Sequence, residues 1–362
     1  MWRNARRTAP GPDRTTVGVA AALALALSLA FAACSSNSTA PPSGTVVLWV
    51  ANSGLTKTGI SNNAANANSI LGYTAAQIAT GTTAAPAVKL ITNSGNGGIV
   101  LDAAGNLWVT DPSNNAVSEY TAAQLKKSGQ PKPNVVISTN ANGSLDSPEA
   151  LAIDGAGNLW VANSAADGSG ANTVVEFTSN QLTASGSPKP AVRLASNAGS
   201  INNPQGIAFD PSGNLWVSDS GALKEFSVAQ LAASGAPAPA VTITDDGLGS
   251  LNGPEGITFD AKGNLWVAVF FSNLVVGYSS SQLTASGSPV PAVIVRSGDQ
   301  SGLNNPCGLA FDPTGNLWVS NPTTSWLLEF VAKQLTSPSS PKPVVFVASG
   351  SLVSPCAMAY VR

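Results

Sequence analysis

The sequence predicts an all-β fold, a six-bladed β-propeller whose ring closes by pairing of its N- and C-terminal strands. Three observations predict it. The stretch Gly213-Asn214-Leu215-Trp216-Val217 recurs at Gly105 to Val109, Gly157 to Val161, Gly263 to Val267 and Gly315 to Val319, with a truncated copy at Leu48-Trp49-Val50. The six Trp residues, at 49, 108, 160, 216, 266 and 318, are spaced by 50 to 59 residues, the period of a propeller blade rather than of a helical repeat. Finally, the repeat is interrupted at the ends. Val46 to Ala51 is a second strand with no first strand before it, and Pro355 to Val361 is a first strand with no second strand after it. Together they make one blade, which removes an open edge from the ring.

The fourth unit shows how each element follows from its residues. Pro204 to Asp210 alternates apolar and small or polar residues and reads as the first strand. Asp210-Pro211-Ser212-Gly213-Asn214 is a tight turn, with Pro presetting φ and Gly taking the positive φ. Leu215 to Ser218, Ala222 to Phe226 and Ala240 to Ile243 read as strands two, three and four. Between strands three and four, Ser227-Val228-Ala229-Gln230-Leu231 carries a capping box, Ser followed three residues later by Gln, and predicts one helical turn. The signature recurs at Thr121 to Leu125, Thr178 to Leu182, Ser279 to Leu283 and Thr74 to Ile78; in the sixth unit Val331 stands at the cap. A segment such as Ser234-Gly235-Ala236-Pro237-Ala238-Pro239 then ends the turn and crosses to the outer strand.

Composition agrees with short strands and tight turns. Charged residues make up 10% of the 362 and aromatic residues 6%, and Gly numbers 35. His is absent, which excludes His-based triads, His metal sites and His general bases. The formal net charge is −2 with no basic patch, so nucleic acid is not an expected partner.

The start of the chain reads as an address. Arg3, Arg6, Arg7 and Arg14 precede an apolar run from Val17 to Ala33, the pattern of a secretory signal over residues 1–33. Phe31-Ala32-Ala33-Cys34 resembles a bacterial lipoprotein box, with Phe where that box usually has Leu. The resemblance implies cleavage before Cys34, a diacylglycerol on its sulfur, and an exported bacterial envelope protein anchored to a membrane. A transmembrane anchor or plain secretion is the alternative. Residues 34–44, polar and Pro-bearing, read as a flexible linker to a propeller spanning 45–362.

The pattern Pro-x-Gly-Ile-x-Phe-Asp-x-x-Gly-Asn-Leu-Trp-Val resembles the NHL-repeat propellers and is similar to the six-bladed gluconolactonase type. The resemblance covers residues 45–362 and implies a fold rather than a function, since propellers host lyases, lactonases, receptors and binding modules.

Within that fold the repeated Trp residues are expected to pack between blades. The turn residues Asp102, Asp154, Asp210, Asp260 and Asp312 are expected to cap their own turns. Antiparallel pairing puts first-strand starts and second-strand ends on one face. The starts are Gly97, Glu149, Gln205, Glu255, Cys307 and Cys356, and the ends are Asn52, Asp111, Asn163, Asp219, Val269 and Asn321. Glu149, Gln205, Glu255, Asn163 and Asn321, with Phe271 and Trp326 from the loops, are therefore the candidate ligand-binding residues; local hairpin hydrogen bonding is the competing reading for the Asn and Asp set. Lactonases of the similar family carry a proline-acid-glycine element bearing a metal-ligating carboxylate. Pro148-Glu149-Ala150 and Pro254-Glu255-Gly256 match its position, with Glu in place of Asp and Ala150 in place of Gly. Glu149 and Glu255 are thus the metal candidates, for a divalent cation such as calcium, although no cofactor is required by the fold.

The expected function is an envelope-tethered binding module for a protein, peptide or glycan on the loop face. The alternative is a metal-dependent lactonase or lyase with oxygen ligands at the channel mouth. Cys307 and Cys356, each following Pro at equivalent positions of neighbouring blades in an oxidising compartment, are a candidate disulfide; two small residues narrowing the mouth is the other reading.

Overall fold

Twenty-four strands form six four-stranded antiparallel sheets arranged as the blades of a propeller in a computed structural model. It describes residues 44–361 apart from 54, 57–58, 61–65, 67, 80, 82, 84, 93–94, 165–171, 197–199 and 297–301. Residues 1–33, expected to be a signal, Cys34 and nearly all of the expected linker lie outside the described residues.

Blade one takes its inner strand from the end of the chain. Here β1 (Val46–Asn52), β2 (Ser69–Thr74) and β3 (Val88–Ile91) are joined by β24 (Pro355–Tyr360). Leu48 pairs with Tyr360, Trp49 with Ala359 and Val50 with Met358, so the closure read from the sequence is what the fold shows. A further backbone bond, from Val361 N–H to Val47 O at 2.8 Å, extends the seam.

The remaining blades follow in chain order. Blade two is β4 (Ile99–Leu101), β5 (Leu107–Asp111), β6 (Ala116–Tyr120) and β7 (Val135–Ser138). Blade three is β8 (Pro148–Ile153), β9 (Leu159–Asn163), β10 (Thr173–Phe177) and β11 (Val192–Ala195). Blade four is β12 (Pro204–Phe209), β13 (Leu215–Asp219), β14 (Ala222–Phe226) and β15 (Val241–Thr244). Blade five is β16 (Pro254–Phe259), β17 (Leu265–Val269), β18 (Leu274–Tyr278) and β19 (Val293–Arg296). Blade six is β20 (Leu309–Phe311), β21 (Leu317–Asn321), β22 (Trp326–Phe330) and β23 (Val345–Val347). A separate two-stranded ladder pairs Leu55–Thr56 with Gly59–Ile60.

The core lies between blades because each sheet face meets its neighbour's. Trp160 of blade three packs with Leu215 and Val217 of blade four, and its ring meets Phe209 edge-on at 6.0 Å. Trp216 meets Phe259 and Trp266 meets Phe311 in the same way one blade further on. The three Trp rings are nearly fully buried and the Phe rings partly so, which makes the repeated Trp a major apolar filling between blades.

The turn Asp residues act as expected. Asp154 Oδ1 accepts the N–H groups of Ala156 and Asn158 at 2.9 Å, and its Oδ2 accepts Asn158 Nδ2 at 2.9 Å and Trp160 Nε1 at 3.0 Å. One side chain thus fixes both the turn and the indole behind it. The same Trp contact is made by Asp102 and Asp260.

The capping Gln does more than close a helical turn. Gln230 accepts the N–H of Ser227 at 2.9 Å, and its Nε2 donates to Ala238 O at 2.7 Å, eight residues on, inside the Pro-rich crossing. Gln124, Gln181, Gln282 and Gln334 repeat that second bond. Val331 lacks a hydroxyl, yet its N–H still donates to Gln334 Oε1 at 2.9 Å, so the sixth unit keeps the turn.

The crossings also cover the outer edges. Gly129 of blade two forms a parallel bridge to Leu90 of blade one, and Gly186, Gly235, Gly287 and Ser339 do the same for blades two to five. Each Ser-Gly segment therefore pairs with the previous blade's outer strand, which would otherwise expose unpaired backbone groups.

Candidate functional site

The candidate site is the channel mouth, and β-bulges build it. In blades three and four the register slips between Pro148 and Ala150 and between Pro204 and Gly206, and in blade five between Pro254 and Ile257. The slip leaves Glu149, Gln205 and Glu255 outside the ladder. A bulge re-aims the extra residue, and here it turns these three side chains to the channel. The chain enters five of the six inner strands through a left-handed residue, at Ser147, Asn203, Gly253, Asn305 and Ser354, with φ between 48° and 74°. Asn and Gly tolerate that conformation, and the following Pro holds the strand's first φ.

Close approach of neighbouring inner strands explains the Gly after the rim residue. A Cβ on Gly256 would stand 2.5 Å from Cys307 O, and one on Gly206 2.5 Å from Glu255 O. Gly256 N–H donates to Cys307 O at 2.9 Å, so blades five and six are hydrogen-bonded at the mouth.

The result is a recess of about 700 Å³. Its upper ring is Gly97, Glu149, Gln205, Glu255, Cys307 and Cys356. Below lie Ile99, Leu151, Ile207, Ile257, Leu309 and Met358, one from each blade and all buried. Phe270 and Phe271 edge the recess, their rings crossing at 5.2 Å; Phe271 is 62% exposed. A smaller recess of about 360 Å³ adjoins it between the loops of blades four and five and shares Gln205, Glu255 and Phe271.

Of the residues expected at this site, the structure brings together Glu149, Gln205, Glu255 and Phe271. It does not bring Asn163, Asn321 or Trp326. Asn163 is fully buried: its Oδ1 accepts Asp146 N–H at 3.1 Å, and its Nδ2 donates to Thr173 Oγ1 at 3.0 Å and Ser144 O at 3.2 Å. Asn321 likewise accepts Asn304 N–H at 3.4 Å and donates to Gly302 O at 3.0 Å. The physical reason is that only the inner strand edges the channel. A second strand lies one position back, and its end is covered by the loop entering the same blade, so local hydrogen bonding consumes the amide. Trp326 opens β22 and packs edge-on against Phe346 of the outer strand, 6.0 Å away, instead of facing the mouth. Most of the loop between β1 and β2, and nearly all of that between β9 and β10, fall outside the described residues.

Glu149 and Glu255, the metal candidates read from the sequence, both line the recess. Among the described residues no group of three or more His, Cys, Asp or Glu side chains is placed to hold a metal ion.

The other second-strand ends also bond locally. Asp111 caps a 3₁₀ turn through Asn114 N–H at 3.1 Å. Asp219 is fully buried, pairs with Lys224 Nζ at 2.6 Å and accepts Asn202 N–H at 2.8 Å. Burial pushes its carboxyl up, against the lowering effect of Lys224. Cys307 and Cys356 stand 5.0 Å apart at Cα, a separation that suits a disulfide, across the seam between blades six and one.

Sequence reasoning missed the aliphatic ring. Its signal was present as the apolar residue two after each rim position, in Gln205-Gly206-Ile207 and its counterparts. It also missed Asn305 and Thr323, which reach the recess from loops.

Among solved structures the chain is similar to a Bacteroides caccae protein, at 13% identity over 88% of this chain and 100% of that one, with a TM-score of 0.58. It is also similar to a chain of the nidogen/laminin complex, at 14% identity over 87% and 97%, TM-score 0.53. A candidate gluconolactonase aligns at 15% identity over 75% and 79%, TM-score 0.45. No family model matches the chain, and no curated protein matches it. At these identities the likeness establishes the six-bladed propeller fold and nothing of the chemistry.

Proposed function

We propose that this protein is a binding module, tethered to the bacterial envelope by lipid on Cys34, that holds a protein, peptide or glycan over the channel mouth. One observation carries the reading: a recess of about 700 Å³, edged by an exposed Phe271 and lined by Glu149, Gln205 and Glu255, on a rigid ring. Concave sites with apolar walls and a few placed polar groups are where ligands are held. An exposed aromatic at such an edge is a typical anchor.

The test is a photo-cross-linking residue placed at Phe271 in cells that make the protein, with Val228 on the opposite face as control. Val228 is 53% exposed and sits beside the turn glycine Gly213. A discrete adduct through position 271 and none through 228 supports the reading. Adducts of equal yield at both positions, or at neither, would sink it.

The second reading, a metal-dependent lactonase or lyase, is favoured by the presence of Glu149 and Glu255 in one recess. Calorimetric titration with calcium tests it. Saturable binding that disappears in the Glu149→Gln, Glu255→Gln double variant would favour the enzyme.

A further inference from the structure

We infer that the ligand is a polypeptide that seats an apolar side chain, such as Leu, Met or Phe, in the mouth and lies against the loops of blades four and five. The inference rests on the binding-module reading and selects one chemistry among those that reading admits.

The first argument is where apolar surface is exposed. Among the described residues the exposed large apolar side chains are Val228, Leu248, Phe271, Val290 and Val344. The three Val residues belong to the cap turns and crossings of three different blades. Leu248, 75% exposed, and Phe271, 62% exposed, instead stand on neighbouring loops of the mouth face. A Cβ on Gly249 would lie 2.9 Å from Ser272 Oγ and one on Gly253 2.5 Å from the Phe271 ring, so the two loops touch. Single exposed apolar residues are ordinary, whereas neighbouring ones beside a concave site mark an interaction surface.

The second argument is that both loops are held in place. Asp245 Oδ1 accepts the N–H groups of Gly247 at 2.7 Å and Gly249 at 3.3 Å, and its Oδ2 accepts that of Leu251 at 2.8 Å. Asp246 Oδ1 accepts Leu248 N–H at 2.9 Å. On the other loop Phe270 N–H donates to Gly253 O at 2.8 Å and Phe271 N–H to Asn252 O at 3.2 Å. Leu248 and Phe271 are thus presented on ordered backbone. The entropy of ordering that backbone is lost on folding rather than on binding, which leaves more of the burial energy to affinity.

The third argument is the layering of the recess. Beneath its rim lies one aliphatic side chain from each blade. A sugar seated there would bring hydroxyls against carbon and lose their hydrogen bonds to water. A small apolar molecule would fill the recess and leave Leu248, which is outside its lining, still in water. A polypeptide meets both demands. One apolar side chain points down, the backbone amides stay level with the polar rim, and adjacent residues cover Leu248 and Phe271. The smaller recess, bounded by Gly221, Asn252 and Gly253 and sharing Phe271, continues from the mouth along these blades and gives the chain its exit.

Panning random heptapeptides displayed on phage against the full mature chain tests this. The chain carries Cys34→Ser, so that no detergent competes for the recess. The recovered sequences should share a Leu, Met, Phe or Trp position. One of them, synthesised with blocked ends, is then titrated by calorimetry. Phe271→Ala should weaken it about thirtyfold, the size of an aromatic hot spot, and Leu248→Ser about fivefold. Both positions are exposed, so neither change threatens the fold. Val228→Ser and Val290→Ser, exposed elsewhere on the ring, should leave binding unchanged. Leu151→Asn beneath the rim should weaken binding about tenfold or more, and the two loop variants decide should that protein fold poorly. No enrichment, recovered sequences without a shared apolar position, or binding that either loop variant leaves unchanged overturns the inference. The cross-link at Phe271 reports a ligand of any class. A discrete adduct there beside a failed panning therefore refutes the polypeptide alone, and the binding-module reading stands.

Discussion

Gly256→Ala tests the packing that forms the mouth. The added Cβ would lie 2.5 Å from Cys307 O and 3.3 Å from Gly308 Cα, and both neighbours are backbone, with no side chain to swing aside. Relief requires blades five and six to separate at their inner edges. That movement also stretches the bond from Gly256 N–H to Cys307 O, now 2.9 Å. Overpacking of this kind costs about 1–3 kcal/mol, and weakening one backbone hydrogen bond about 1 kcal/mol more. A ring of about 320 residues unfolds with an entropy near 0.7 kcal/mol per kelvin, so a loss of about 2–4 kcal/mol lowers Tm by roughly 3–6 °C. Thermal unfolding followed by circular dichroism reads this directly. The control is Gly155→Ala, where a Cβ would meet no atom within 4 Å and φ is not positive. That change should be neutral or slightly stabilising. If Gly256→Ala melts within a degree of the parent, or if Gly155→Ala costs as much, the close-approach account of the mouth is wrong.

Other expectations follow from the same structure. Deleting residues 355–362 removes Met358 and Tyr360 from their packing on Leu48 and Val50 and leaves the inner edge of β1 unpaired, a loss on the order of 5 kcal/mol; an unchanged melting temperature would refute the ring closure. Glu225 has its carboxyl pushed up by burial and then by Asp210. Its contribution to stability is therefore fully present below the ordinary value of 4.5 and is lost as pH rises through the raised one. Glu225→Gln should match the parent near pH 4 and melt above it near pH 7, and parallel curves across that range would refute the assignment. Denatured, unreduced mature protein should titrate no free thiol if Cys307 and Cys356 are bonded; two free thiols would end that proposal. Cys34→Ser should release the protein from membranes, and continued sedimentation with them would argue against lipidation.

Most of the fold was legible because its signals are local and repeated. The Asp-x-x-Gly-Asn turn, the Trp two residues after that Asn and the Ser/Thr-x-x-Gln cap each work within one blade, so the sequence shows them directly. The rim was legible for a related reason, since Pro148, Pro204 and Pro254 mark where the inner strands begin. Asn163 and Asn321 were misplaced because strand polarity gives the end of a strand but not which strand edges the channel. Trp326 was misplaced because its partner, Phe346, arrives on the outer strand 20 residues later. The bulges that aim Glu149, Gln205 and Glu255 leave no residue signature of their own and appear only in the register.

The mouth is proposed as a ligand-binding recess, with Glu149 and Glu255 among its lining residues. A crystal structure of the protein purified without chelators, at a resolution that separates water from metal ions, tests it most directly. The account predicts Glu149 and Glu255 lining an open recess above Ile99, Leu151, Ile207, Ile257, Leu309 and Met358, with water or an organic ligand at the rim. An ordered metal ion ligated by both carboxylates would contradict it and return the mouth to the enzyme reading.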